Sequence, residues 1–242
     1  MSASYNLLDL AEKGYAPPKS APASKAVEEQ SVPRPTLLDK HTKELQLLVN
    51  RVFLSPRADA PRRLAFASIS NSAASGFTCA RAARLLARQN AGHVCVLDGN
   101  FAEKNLTSFY FPDRVPQSNG RGTFSREHCV PIEDNLWLAG DWVFRDDQGR
   151  LLPLVQIQKH LDALAGIFQY LLIDTAALLH SEDALTLAEL AGAVVLMIEA
   201  NITLRRDADT VAQSLQSQGV RIMGAVLNNW SCPVPSSLYR RI

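Results

Sequence analysis

The sequence predicts an α/β protein built on a three-layer, doubly wound, mostly parallel sheet. Three observations predict it. Short apolar runs of strand length, at 64–69, 93–98, 168–175, 192–199 and 220–228, alternate with segments of helical composition, which is the pattern of successive βαβ units. Two of these runs close on a carboxylate, Asp98 and Asp174, and open α/β sheets bind ligands outside the carboxyl ends of their strands. The first run is followed by a loop of small residues, and that loop has the spacing of a phosphate-binding loop.

Composition narrows the function. The chain has 242 residues and 47% hydrophobic content, enough for one domain of about 180–200 residues plus a tail. A net charge of +1 leaves no field to recruit nucleic acid or anionic lipid. The four cysteines, Cys79, Cys95, Cys129 and Cys232, are widely spaced with no C-x-x-C, which argues against a disulfide framework or a thiolate metal site. No N-terminal signal pattern and no run of 18 apolar residues is present, so the expected location is cytoplasmic, at the inner membrane only through a partner.

Taken in order, residues 1–35 are rich in Pro, Ser, Ala, Lys and Glu and read as a disordered tail. Within it, Tyr5 to Gly14 carries Leu7, Leu8 and Leu10, an apolar turn able to dock on the body or on a partner. Residues 36–55 form a helix ahead of the core, because Leu45, Leu48, Val49, Val52 and Phe53 make one apolar stripe. That helix packs on the core or mediates self-association. The α/β domain spans 56–230. Leu64 to Ile69 is a buried parallel strand, and Thr78 to Gln89 is a helix of Ala, Leu and Arg without a breaker. Arg81, Arg84 and Arg88 along it read as a solvated face.

Gly92 closes that helix, and His93 to Asp98 is the next strand. Asp98 acts on a ligand or caps the turn Gly99-Asn100. Residues 101–135 read as loops or short helices at the sheet edge. Leu136 to Gly140 is a short strand, Asp146 to Gly149 a turn, and Gln156 to Gly166 a helix with Ile157, Leu161 and Leu164 on one face. Phe168 to Thr175 is a strong strand, Ser181 to Leu190 a helix, and Gly192 to Glu199 a strand. A helix from Asn201 to about Gln218 takes Thr203 as its N-cap. Val220 to Asn228 is the last strand, and 231–242 is a short tail containing Tyr239.

The loop carries the chemistry. The pattern G-x-x-x-x-G-K-[ST] uses glycines to bring backbone N–H groups around phosphate, Lys to neutralise charge, and a hydroxyl to hold Mg²⁺. Here the frame is Asn71, then Gly76-Phe77-Thr78. The last Gly and the Thr are kept, and an apolar ring stands in place of the cation. A hydrogen bond to a charged group contributes about 1.5–3 kcal/mol, and losing a preorganised donor costs about 10²–10³ in rate. Leu171-Leu-Ile-Asp-Thr175 has the form of the strand whose Asp orders the Mg²⁺ water shell.

From 37 to 228 the chain resembles the bacterial tyrosine-kinase family of capsule and exopolysaccharide synthesis, a branch of the MinD-like P-loop ATPases. The blocks that carry the resemblance are 64–89 for Walker A, Val94 to Asn100 for Walker A-prime, and Leu171 to Thr175 for Walker B. Asp183-Ala184, Ala191 to Ile198, Thr203 to Asp207 and Gly224-Ala-Val-Leu-Asn228 follow in the family's order. The resemblance implies a P-loop NTPase-like fold and a nucleotide site at Gly76, Phe77, Thr78 and Asn228. It implies Mg²⁺ ligands at Thr78, Asp98 and Asp174, Asp98 as the catalytic carboxylate of an active enzyme, and Tyr239 as a phosphosite.

Departures fall on the chemistry. Phe77 replaces the Walker Lys, Asn100 the second Walker A-prime Asp, and Ala176-Ala177 the prolines after Walker B. Of the family's E-x-x-R-x-x-R assembly helix only Glu44 remains, with Leu47 and Asn50 at the Arg positions. The expectation is a pseudokinase-like, non-catalytic component of exopolysaccharide biosynthesis or export, with no cofactor. Its partner would be the cytoplasmic segment of a membrane polysaccharide co-polymerase, and Phe77 would fill the loop in place of a nucleotide. The alternatives are an ATP- and Mg-dependent tyrosine autokinase or ATPase whose cation comes from Arg81 or from a partner's Arg, and a MinD-like positioning ATPase.

Overall fold

The computed structural model describes residues 40–54, 60–70, 74–89, 92–113, 125–146 and 148–228. The 1–35 tail with Tyr5 to Gly14, the loop residue Asn71, and the 231–242 tail with Cys232 and Tyr239 lie outside the described residues.

Among the described residues six α-helices and seven strands follow in order: α1 (Lys40–Val52), β1 (Arg63–Ser68), α2 (Ala74–Arg88), β2 (Val94–Gly99), α3 (Asn105–Tyr110), β3 (Val130–Glu133), β4 (Leu136–Ala139), α4 (Leu154–Ile167), β5 (Tyr170–Thr175), α5 (Glu182–Ala191), β6 (Ala193–Glu199), α6 (Arg205–Ser217) and β7 (Arg221–Asn228). The strands form one sheet in the order β3-β4-β2-β5-β1-β6-β7. Every neighbouring pair is parallel except β3 with β4. The chain runs from β1 to β2 across the place that β5 later fills, then from β5 past β1 to β6. The β1–β5 junction is therefore the switch point at which such sheets open a crevice.

Two cores cover the two faces of the sheet. Leu45, Val49 and Phe53 of the α1 region, Cys79, Ala83 and Leu86 of α2, and Leu106 of α3 pack on Leu64, Phe66 and Val96. On the other face Ile157, Leu161 and Leu164 of α4, Leu187 of α5 and Leu215 of α6 pack on Ala65, Leu97 and Ile173. The three layers expected from the strand–helix alternation are present. The apolar stripe of α1 packs on the core, with Leu47 left 54% exposed on the outer side. Gly192 ends α5 in the left-handed region, φ 74°, donating to the Ala188 and Glu189 carbonyls.

Four expectations are corrected. The helix after the loop starts at Ala74 rather than Thr78, so Gly76 and Phe77 are helical. The 101–135 segment contains, besides α3, the antiparallel edge strand β3, joined to β4 through Asp134-Asn135. Thr203 does not cap α6: its hydroxyl accepts from the Glu199 N–H at 3.0 Å, and Leu204 takes the cap position without a side-chain bond. The arginines of α2 keep contact with solvent, Arg88 with 65% of its side chain exposed, but are engaged as well. Arg84 pairs with Glu133 at 2.8 Å, Arg88 with the same carboxylate at 3.5 Å, and Arg81 lies 5.4 Å from the centre of the Phe77 ring.

Candidate functional site at the carboxyl ends of the central strands

β2 and β5 lie side by side with Asp98 directly opposite Asp174. Parallel neighbours in register point their side chains to the same face, so the two carboxylates share the α2 face of the sheet. Both are buried with 0% exposure. Asp98 Oδ2 accepts from the Thr107 backbone N–H at 2.8 Å and from its hydroxyl at 2.7 Å. It thereby caps the short helix α3 rather than the turn Gly99-Asn100. Among the described residues, Asp98 Oδ1 and both oxygens of Asp174 accept no hydrogen bond.

Burial raises both acids. Asp98 is pushed up by desolvation and by Asp141, against the two Thr107 bonds and the Lys104 charge. Asp174 is pushed well up by desolvation, then by Asp98 and Glu103. The Ser75 hydroxyl beside Asp174 eases that shift without reaching hydrogen-bond geometry. Cys79, one turn further along α2, is fully buried next to the pair, and burial followed by Asp174 and Asp98 holds its thiol well above the usual range.

The first turn of α2 lies on Asp174. A Cβ on Gly76 would stand 2.8 Å from Asp174 Oδ2 and 2.9 Å from Asn105 Cβ, so only glycine permits this approach of helix, strand and α3. Phe77, at the Lys position, turns outward and is 43% exposed. Its ring meets Phe109 of α3 edge-on at 5.6 Å, under Arg81. Tyr110 donates to the Ala80 carbonyl at 3.0 Å. Phe109, Tyr110, Thr107 and Asn105 thus fasten α3 down over α2 and β2.

The turn that leads into α3 is held by Asn100, which the sequence placed at the second Walker A-prime position, and by Asp141, which sequence reasoning did not single out. Asn100, 4% exposed, donates to Glu103 at 3.2 Å and accepts from the Glu103 N–H at 3.3 Å. Asp141 binds Lys104 at 3.2 Å and Arg145 at 2.7 Å. Lys104 adopts a left-handed conformation, φ 50° and ψ 46°, a strained state for a side chain with a Cβ. The signal available for Asp141 was weak: a single acid after the Gly140 turn, with its partners four residues on and 37 residues back.

Of the expected site residues, the structure brings together Gly76, Asp98 and Asp174. Thr78 is half-buried and shares a helix face with Ser75, one turn on. Asn228 stands at the carboxyl end of β7, two strands beyond β1, about 10 Å across the sheet. Its carbonyl accepts from Ala200. The donor set of Asp98, Asp174 and Thr78 suits Mg²⁺, which takes hard oxygen ligands. The packing does not suit it: Asp174 has no exposed surface, the α2 backbone lies against it, and one Asp98 oxygen is committed to α3. Among the described residues no group of three or more His, Cys, Asp or Glu is arranged to hold a metal ion, and no helix is long and apolar enough to cross a membrane.

No protein-family model and no curated protein sequence matches the chain. Solved structures do match its fold. The chimerical protein CapA2B2 is 13% identical with a TM-score of 0.65, covering 82% of this chain and 88% of that one. The kinase domain of the Escherichia coli tyrosine kinase ETK is 13% identical with a TM-score of 0.59, covering 80% and 79%. A chain of the MinC:MinD cell division protein complex of Aquifex aeolicus is 16% identical with a TM-score of 0.57, covering 74% and 71%. At these identities the likeness is one of fold: a P-loop NTPase-like α/β domain of the kind found in bacterial tyrosine kinases and MinD-type proteins.

Proposed function

We propose that this chain is a pseudokinase-like, non-catalytic component of bacterial exopolysaccharide biosynthesis or export. It would bind the cytoplasmic segment of a membrane chain-length regulator of the polysaccharide co-polymerase type. The observation that carries the non-catalytic part is the closed carboxylate. Asp174, where a phosphoryl-transfer enzyme needs an ionised group facing Mg²⁺, is buried under Gly76 and raised toward its neutral form. The cation position holds an aromatic ring that packs on α3. Phosphoryl transfer depends almost wholly on positioning and charge neutralisation, and both are replaced here by packing. The pathway and the partner rest on the fold likeness and on the order of the resembling blocks, so they stand at the level of analogy.

A second reading keeps the enzyme active. The orphan oxygens of Asp98 and Asp174 favour it, because buried unpaired carboxylates are costly and a bound cation would satisfy them. Thr78, Asp98 and Asp174 would hold Mg²⁺, Arg81 would supply the missing charge, and Tyr239 would be the phosphosite. Calorimetric titration with Mg-ATP and Mg-ADP separates the two, with sensitivity to a Kd of about 1 mM. The expected result is no binding by the native chain and detectable binding by Phe77→Lys. Micromolar binding by the native chain would sink the non-catalytic reading and make Tyr239 phosphorylation the next measurement.

A further inference from the structure

We infer that the shallow groove between α4 and α5 is the docking site of the partner, and that its occupant is a basic, apolar peptide segment. The inference rests on the partner-binding part of the proposed function and says where and by what chemistry that partner is held. The groove has a volume of about 160 Å³ and is lined by Phe101, Leu152, Leu154, Ile157 and Leu187, with Asp183 at its edge. Its rim is the most apolar stretch of exposed surface along the described chain. Leu151, Leu154 and Val155 are 39%, 51% and 64% exposed within five residues. Leu151 and Leu154 line the groove and Val155 follows in the chain, and large apolar side chains facing water together are a feature of interaction sites.

Position and charge choose the occupant. Phe101 follows the carboxyl end of β2, and α4 begins at the same edge of the sheet because it runs into β5. The groove therefore opens beside the carboxyl-end edge, on the face opposite α2 and α3. Asp183 of α5 lines it and Glu182 precedes it in the same first helical turn; both are exposed and neither is in an ion pair among the described residues. Arg150, the nearest cation in sequence to the apolar rim, is already held by Asp146 at 2.8 Å. The floor thus accepts one large apolar side chain, and the wall offers two unengaged negative charges. Membrane proteins place their Lys and Arg excess on the cytoplasmic side. A cytoplasmic segment with an apolar anchor between basic residues is the complement of this surface: the anchor fills the pocket and the cations meet the wall.

The test uses the full chain and short synthetic peptides blocked at both ends, each with one central Leu or Phe flanked by Arg and Lys. Binding is read by fluorescence anisotropy. Matched peptides carry Ser at the centre or Glu in place of the basic residues. The expected result is saturable binding of the basic apolar peptides alone, weakened at least about tenfold by Leu154→Asp. Glu182→Lys with Asp183→Lys weakens it similarly and transfers binding to the Glu-flanked peptide, a rescue that a misfolded chain could not give. Binding that survives both changes places the peptides elsewhere and overturns the inference, as does no binding by the native chain. Self-association abolished by Leu154→Asp assigns the groove to a second copy and overturns it too. Mg-ATP titration of the same preparation keeps the readings apart, because nucleotide binding contradicts the non-catalytic assignment and leaves the groove result unaffected.

Discussion

Asp174 is a carboxyl whose two oxygens accept no hydrogen bond in a place without water-facing surface, and its folded pKa is raised, first by that burial. An acid with a raised folded pKa binds its proton more tightly when folded than when unfolded. Its contribution to stability is complete below the ordinary Asp value of about 3.9 and is lost as pH rises toward the folded value. Asp98 adds in the same direction. Replacing Asp174 by Asn keeps the shape and the polarity but removes the ionisation, so the variant should gain stability relative to the native chain as pH rises above the ordinary Asp value of about 3.9. It should also flatten the fall in stability as pH rises from about 4. Urea melts of both proteins across that range measure it, and an unchanged slope would contradict the burial argument. At Phe77 the sequence shows only that the cation is absent. That its ring packs against Phe109 and not into the loop core follows from the helix starting at Ala74, which turns position 77 outward.

α3 has six residues, too few to hold together alone. Its stability comes from what it touches: Thr107 on Asp98, Phe109 on Phe77 and Tyr110 on the Ala80 carbonyl. Thr107→Val keeps the shape and the backbone bond but removes the 2.7 Å hydroxyl bond to a buried acid. The expected cost is about 1–3 kcal/mol, and Thr107→Ser should recover most of it. Hydrogen exchange should show α3 amides losing protection ahead of the sheet in the Val variant, and uniform loss would mean that α3 is not a separate latch. The element was hard to read because Phe109-Tyr110-Phe111 has no helical period. β3 was missed for another reason: Val130 pairs with Leu138 and Glu133 with Leu136 across Asp134-Asn135, a hairpin, but the register shifts between them and Pro131 counts against a strand except at an edge, where it lies.

The described residues form one sheet with a core on each face, so damage to either face should be felt by both. Phe66 is buried with the α2 side and Leu161 with the α4 side, each at 0% exposure. Phe66→Ala should cost about 3–5 kcal/mol and Leu161→Ala about 2–5 kcal/mol. In each variant near- and far-ultraviolet dichroism should report one coincident transition. Two separated transitions would show that the faces unfold independently. The groove beside α4 and α5 is also a property of the fold, since Phe101, Leu154 and Leu187 come from three separate segments and meet only in the folded chain.

Layer order, the parallel central strands and the end position of Asp98 and Asp174 were determined by sequence alone, because strand and helix periods and apolar run lengths are local properties of the chain. Which side chains stand at positions 76–78, 98 and 174 was equally legible, because it depends on the sequence itself. Tertiary structure decided what surrounds them: Gly76 pressed on Asp174, Asp98 committed to Thr107, and Asn228 two strands away from β1. Each depends on how closely two distant segments approach. That distance is set by packing across the sheet, which no window of sequence contains.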